Sequence, residues 1–505
     1  MELCFAKIKK KQVKMNSTTK LLKNKSFWLL IMIFHMQCIF SQVPFFERVY
    51  DETLSQASYV IADPDTKEAI VIDPKRDVDT YLTIAQKNNL KITKITETHI
   101  HADFLSGSRE LQAATKAKLL LSNEGGKDWQ YEFAHEPLKD GDVIKVGRYT
   151  LEVMHTPGHT PESLTFLLKG GKLQPIRAIT GDFIFVGDVG RPDLLEKAAG
   201  QQGRQEEAAK QLFASIKRFS QLPDNTEIWP GHGAGSFCGK SLSNIPQSTL
   251  AEEKQTNEAL KIKEEASFVR YILEGQPEPP AYFAVMKQLN KIQRPLLIQV
   301  PKHPFLTKEE VDRARQNNVL IVDTRKKENV QKGFIPGSVH FENGKMLSTF
   351  MGSLIDYQQQ LLIVAKEEER DDITRKLMRI GMDNIYGFVS DVHQQSLPLL
   401  SSKIVDIDGF KKYLNRSDVQ LIDVRTVGEY KAGHIQGLQN IPLNTIEQDL
   451  SKIDKNKPVV LHCQSGVRAA MAYSILRKNG FENIINYSGG INDWVEKKNE
   501  LVQEK

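Results

Sequence analysis

The run Thr98-His99-Ile100-His101-Ala102-Asp103-Phe104 sets two imidazoles two residues apart and a carboxylate two residues further on. Residues 91–98 read as a strand, because Ile92 and Ile95 sit among β-branched threonines. Histidines at i and i+2 on an extended strand end or turn can converge on a metal, and an acid beyond them can join. Phe104 comes next, and its ring has no electron pair to donate. Further donors follow in order. Met154-His155-Thr156-Pro157-Gly158-His159-Thr160 presents His159 from a Pro-Gly bend. Thr180-Gly181-Asp182 ends an apolar strand with a carboxylate, and Trp229-Pro230-Gly231-His232-Gly233 supplies a histidine on a glycine-flanked turn. One such histidine alone is more often a hydrogen-bonded structural residue. Four stations, each at a predicted strand end, point to a metal centre.

These stations are joined by Tyr50-Asp51-Glu52-Thr53-Leu54-Ser55-Gln56-Ala57-Ser58-Tyr59, by Gly187-Asp188-Val189-Gly190-Arg191-Pro192-Asp193, and by residues 231–240. Residues 45–298 thereby resemble the persulfide dioxygenase (sulfur dioxygenase) branch of the metallo-β-lactamase fold. The usual pattern of that fold is His-x-His-x-Asp-His, and its last two residues help hold a second metal. Phe104 in the final place therefore implies one metal. The resemblance implies a single Fe(II) held by His99, His159 and Asp182, a ligand set that leaves positions open for O2 and a thiolate. His101, Asp103 and His232 would then orient ligands or substrate through hydrogen bonds, and Asp103 could accept a proton. Arg191 resembles a family position near the glutathione site, where a cation would favour a persulfide anion or carboxylate; the plainer alternative is a surface ion pair. Cys238 either carries sulfur or lines the pocket, or is a buried inert thiol.

A chain of 505 residues is long enough for about three domains. The formal net charge is +5, but residues 1–43 hold eight lysines and one glutamate, so the remainder is slightly acidic and gives no support for nucleic-acid binding. In residues 1–43 the lysines precede an apolar run, 27–40, that is too short and too interrupted to span a membrane. It reads either as a signal peptide or as the result of a mis-assigned start at a later methionine. Only Cys238 and Cys463 lie beyond it, which favours a reducing cytoplasm over export. A helix-rich segment, 250–274, and a Pro-rich break, 275–280, precede a stretch, 282–289, expected to pack back on the first domain. The divisions are 44–300, 303–398 and 401–505.

The last two units repeat each other. Val319-Leu320-Ile321-Val322-Asp323-Thr324-Arg325 matches Val419-Gln420-Leu421-Ile422-Asp423-Val424-Arg425, and Phe334-Ile335-Pro336-Gly337 matches His434-Ile435-Gln436-Gly437. Each alternates apolar strands with helices, as a parallel α/β sheet requires. In the third unit a short apolar strand, 459–462, leads into Cys463-Gln464-Ser465-Gly466-Val467-Arg468 and then a helix. Amides turned inward by such a loop, with the helix dipole behind them, lower a cysteine's pKa and stabilise anionic sulfur. Arg468 adds a fixed charge. Together with Gly433-His434-Ile435 and Gly489-Gly490-Ile491-Asn492-Asp493-Trp494, this unit resembles the rhodanese family over residues 404–498. Related phosphatases use a longer loop, so the span from Cys463 to Arg468 favours sulfur transfer. In the second unit Ala365 stands opposite Cys463, and Lys366-Glu367-Glu368-Glu369 replaces the rest of the loop. That unit is expected to be catalytically inactive, serving as scaffold or interface.

The expected fold is thus a metallo-β-lactamase αββα sandwich followed by two α/β rhodanese-like domains, the first inactive. The expected function is oxidation of a low-molecular-weight persulfide, glutathione persulfide or a similar one, with O2 to sulfite, coupled to sulfur transfer through a Cys463 persulfide that gives thiosulfate. Expected partners are the persulfide, O2 and sulfite, with a second copy of the chain or a sulfur-carrier protein as macromolecular candidates. The alternative is a thioester hydrolase of the glyoxalase II type, which needs a hydroxide bridging two metals.

Overall fold

The computed structural model describes residues 43–503 apart from 198–199, 201–202, 391 and 393–396. The lysine-rich stretch, with the choice between signal peptide and mis-assigned start, lies outside the described residues apart from Val43. Period-2 alternation builds the first unit. In the strand Gln56–Ala62, Ala57, Tyr59 and Ile61 face one way and Val60 and Ala62 the other. Two six-stranded sheets result. The first runs Phe45–Asp51, Gln56–Ala62, Glu68–Ile72, Lys91–Thr96, Lys118–Ser122, Glu136–Leu138; the second runs Ser248–Thr249, Glu227–Pro230, Arg177–Gly181, Leu164–Gly170, Tyr149–His155, Val143–Val146.

The facing sides of the sheets share one core, in which Tyr59, Ile61, Ile70 and Ile72 meet Leu151, Val153, Phe166 and Ile179. Helices cover both outer faces. Asp79–Lys87 buries Tyr81 and Ala85 against Val60 and Val71, and Gln205–Phe219 buries Leu212 and Phe213 beside Ala178 and Ile228. The layers are therefore αββα. The predicted helix-rich segment is three short helices, Leu250–Thr256, Glu258–Lys261 and Glu265–Leu273. None of the helices among the described residues is long and apolar enough to cross a membrane.

The repeats fold alike. Strands Val339–His340, Leu320–Asp323, Leu361–Val364 and Ile385–Val389 form one parallel sheet; Lys403–Val405, Ile484–Tyr487, Val459–His462, Gln420–Asp423 and Gln439–Asn440 form the other. Even the turn after Ile335 and Ile435 recurs, with Gly337 and Gly437 both at φ +85°.

One apolar cluster runs through all three units, joining Phe104, Leu105 and Met286 to Leu347, Met351 and Leu377, and onward to Val424, Cys463 and Leu476. Polar contacts pin the first junction. The Leu105 amide donates to the Arg379 carbonyl, and Arg379 pairs with Asp77 and with Asp51 at 2.6 Å. Both carboxylates are buried. Arg379→Ala would leave them short of a cation, so it should lower stability by roughly 2–4 kcal/mol, read as an earlier calorimetric transition. An unchanged transition would show that the pairing adds nothing to the junction.

Candidate metal centre and sulfur-transfer loop

Each candidate donor follows a strand's C-terminal end. His99 lies past Lys91–Thr96, His159 past Tyr149–His155, Asp182 past Arg177–Gly181 and His232 past Glu227–Pro230. The parallel register of 177–181 with 227–230 brings the last two side by side. Backbone closeness completes the approach: a Cβ on Gly231 would stand 2.7 Å from Asp182 Oδ1.

His99, His159 and Asp182 are buried with their ligand atoms within 4.8 Å of one another. Asp182 Oδ2 is 3.9 Å from His99 Nε2 and 3.6 Å from His159 Nε2. Hydrogen bonds fix the tautomers. Thr98 Oγ1 donates to Asp73, so its remaining contact, 3.0 Å to His99, is accepted from His99 Nδ1–H. His159 Nδ1–H donates to the Arg191 carbonyl at 3.1 Å. Both Nε2 lone pairs therefore face inward, as metal ligands require. Burial holds both imidazoles well below their usual pKa and hence neutral. Neither Asp182 oxygen has a hydrogen-bond partner, and burial raises its carboxyl. A buried carboxylate without donors between two neutral imidazoles fits a divalent cation.

A second group meets it. Asp103, His232 and Cys238 are also buried with ligand atoms within 4.8 Å. His232 Nδ1–H donates to the Ser55 carbonyl, and its Nε2 lies 3.4 Å from both Asp103 Oδ2 and Asp182 Oδ1. A thiol thus stands with Asp103 and His232 beside the first group. Burial, then the Asp182 and Asp103 carboxylates, push the Cys238 thiol far up, so without a metal it stays protonated. His101 joins neither group. Its Nε2 is 3.0 Å from Asp73 Oδ1, and although burial disfavours the cation, Asp73 raises the imidazolium to about 9. The His101 ring packs 4.2 Å from the His99 ring and 4.4 Å from Phe104, between centroids.

Arg191 is neither a surface ion pair nor an open cation. Its side chain is fully buried and forked onto Asp193 at 2.7 and 2.6 Å, with Nη1 on the Phe237 carbonyl. Its backbone carbonyl is what touches the site, through His159. Besides the His101 imidazolium, a buried cation whose charge acts on the centre is Lys287, on the helix Phe283–Lys291. Its Nζ is buried with no hydrogen-bond partner, 4.4 Å from the Trp129 ring centroid. Burial lowers it to about 8, and its field depresses both His99 and His159. The same helix clamps the histidine loop, since Asn290 Nδ2 donates to the His101 and Phe104 carbonyls and Tyr282 Oη to that of Asp103. Sequence reading placed the stretch against the first domain but missed Lys287 and Asp73. A signal existed for the lysine: Phe283, Met286, Lys287 and Asn290 form one i, i+3, i+4, i+7 stripe, with a cation inside it.

In the third unit the helix Val467–Lys478 begins directly after the loop. The Gly466 amide donates to Cys463 Sγ at 3.2 Å. The loop's carbonyls are drawn outward, Cys463 O accepting from the Ile491 amide and Gln464 O from that of Asn492. A Cβ on Gly490 would collide with the Cys463 carbonyl, which explains the paired glycines there. Arg468 sits in the helix's first turn, forked onto Glu429 with both contacts at 2.7 Å. Burial would raise Glu429, yet Arg468 holds it down to about 2. In the second unit Ala365 follows the strand Leu361–Val364 just as Cys463 follows Val459–His462, and Glu367–Glu369 form a 3₁₀ turn in place of the cradle.

Residues 52–232 match the metallo-beta-lactamase superfamily, and residues 406–497 match the rhodanese-like domain. Fold and site therefore define a metallo-beta-lactamase superfamily protein fused to a rhodanese-like domain. The mitochondrial persulfide dioxygenase of Bos taurus is 30% identical over 214 residues, spanning 41% of this chain and 71% of that protein. An uncharacterised protein of Bacillus subtilis (strain 168) is 40% identical over 110 residues, 22% of this chain and 82% of its own. The crystal structure of a metallo-beta-lactamase from Staphylococcus aureus subsp. aureus COL is 42% identical, with a TM-score of 0.64, covering 68% of this chain and 99% of that one. The chain belongs to the persulfide dioxygenase family and is an enzyme of sulfur metabolism acting on small molecules.

Proposed function

We propose that the protein is a persulfide dioxygenase with one Fe(II) per chain, coupled to sulfur transfer at Cys463. The overall reactions balance as RSSH + O2 + H2O giving RSH + H2SO3, and RSSH + SO3²⁻ giving RSH + S2O3²⁻. The observation that carries this reading is one chain holding both a buried two-histidine, one-carboxylate donor set and a cysteine cradled by a backbone amide.

His99, His159 and Asp182 would hold the iron, which when bound supplies the site for activating O2 beside the persulfide. Lys287, buried and without a hydrogen-bond partner, would offset the charge of the entering persulfide anion. Asp103 and His232, 3.4 Å apart, are placed to take up and return the proton that the persulfide loses and the product thiol regains. Cys238 keeps its proton beside Asp182 and Asp103 and lines the pocket. At Cys463 the sulfane sulfur would be received as a persulfide and passed to sulfite. Both described cysteines are free, which suits a reducing cytoplasm.

Oxygen uptake by the iron-loaded protein should appear with one of a panel of glutathione, coenzyme A and bacillithiol persulfides, with sulfite formed. No uptake with any of them would sink the reading. Thioester hydrolysis is the second reading, favoured by the Asp103, His232 and Cys238 group as a second metal position. Two tightly bound metals per chain, with thioester turnover, would decide for it.

Lys287→Met gives opposed outcomes. The KM for persulfide should rise about tenfold as the charge is lost. Stability at neutral pH should instead rise by roughly 3 kcal/mol, because a buried lysine near pKa 8 is held below its ordinary 10.5. A depressed base makes the fold less stable wherever it is charged. Parent stability should therefore climb relative to the variant between about pH 8 and 10.5. Parallel pH profiles from urea titrations would contradict this account.

A further inference from the structure

Around Cys463 the fixed cations are already spoken for. Arg468 is forked onto Glu429, and Arg425 onto Asp423, which also lies 3.3 Å from His462. The exception comes from the neighbouring, inactive unit. Lys327 Nζ donates to the Ser465 carbonyl at 2.6 Å, across the domain junction. A Cβ on Gly466 would stand 2.9 Å from that Nζ, while the Gly466 amide is on Cys463 Sγ. One glycine therefore separates the ammonium from the sulfur. Among the described residues no carboxylate pairs with Lys327; Glu342 takes the Lys326 side chain and only the backbone amide of Lys327.

The junction holds this placement firmly. The helix Val467–Lys478, which carries the loop, packs on the strand Val339–His340 of the inactive unit, with the His340 amide donating to Ser474 Oγ at 2.8 Å and Phe334 edge-on to Tyr473. The lysine is not a demand of the repeat itself. Its counterpart in the active unit is Val427, which is exposed.

We propose that Lys327 of the inactive unit is a specificity residue of the active one: it attracts the dianionic substrates, thiosulfate and sulfite, to the mouth of the Cys463 loop. This rests on the sulfur-transfer reading above. In the step concerned, the Cys463 thiolate attacks the outer sulfur of thiosulfate, a new S–S bond forms, and the bond to the inner sulfur breaks with sulfite leaving on its electron pair. The Cys463 persulfide then gives its outer sulfur to cyanide, returning the thiolate and releasing thiocyanate. Charge enters and leaves as a dianion only in the first step.

The test is thiosulfate:cyanide sulfurtransfer by the full chain. Lys327→Gln should raise the KM for thiosulfate about tenfold, the effect of one unpaired charge at this range in a partly screened site, and leave kcat within about twofold. Lys327→Arg should restore the KM. Off-loading of preformed Cys463 persulfide to cyanide, a monoanion, should stay within about twofold of the parent in both variants. An unchanged KM in Lys327→Gln overturns the proposal, and so does an equal loss in the off-loading step, which would mark a merely structural role. A parent that does not turn over thiosulfate overturns the sulfur-transfer reading itself, and this inference with it.

Discussion

Asp182→Ala is expected to release the metal and abolish oxygen uptake, a loss well beyond the roughly 10–100-fold that follows removal of an outer hydrogen-bond partner. The carboxylate is the group that both imidazoles face, and its oxygens have no hydrogen-bond partner of their own. His99→Ala should act alike. His101→Gln should retain the metal and lose activity only partially, because its Nε2 is engaged by Asp73 and it belongs to neither group of converging donors. Metal analysis and an oxygen electrode read both quantities. An Asp182→Ala protein that kept one equivalent of iron and its oxygen uptake would move the centre elsewhere, to the Asp103, His232 and Cys238 group first. Phe104→His adds a donor beside that group and should raise the metal count towards two.

Cys463→Ser is expected to bring thiosulfate formation down to the uncatalysed background while oxygen uptake continues. Serine can neither accept sulfane sulfur nor be held as an anion by the Gly466 amide. Sulfite should then accumulate, since the iron ligands lie in another unit. The readout is sulfite and thiosulfate released per O2 consumed, with persulfide in excess. Equal thiosulfate from the variant and the parent, after subtracting background, would end the assignment and make Cys238 the thiol to examine. Ala365→Cys should create no second transferase. The chain after Ala365 is a 3₁₀ turn of three glutamates rather than an amide cradle, so a thiol there would meet repulsion instead of stabilisation.

The αββα sandwich and two parallel α/β units were legible because their strands carry their own signals: alternation where a strand has two apolar faces, and short apolar runs ending in turn residues where a parallel sheet is buried. The donor stations were legible for the same reason, since each sits just past a strand end, where the chain leaves the ladder and side chains become free to converge. The repeat in the sequence also sets Ala365 opposite Cys463.

Charges were a different matter. Arg191 reads as a cation for substrate, but folding brings Asp193 and the Phe237 carbonyl onto it, one contact on each of its three nitrogens. Lys287, on a helix more than a hundred residues past His159, became a buried cation whose charge reaches the centre, and Lys327, from a unit without a nucleophile, became the one beside Cys463. Cys238 came to lie beside Asp103 and His232, although its sequence neighbourhood marks only a glycine-rich turn. Local sequence determines which residues can form a strand, a turn or a cradle, because those depend on near neighbours and on burial. Which charge is cancelled and which is left facing a site depends on partners brought from distant segments, and only the tertiary structure decides that.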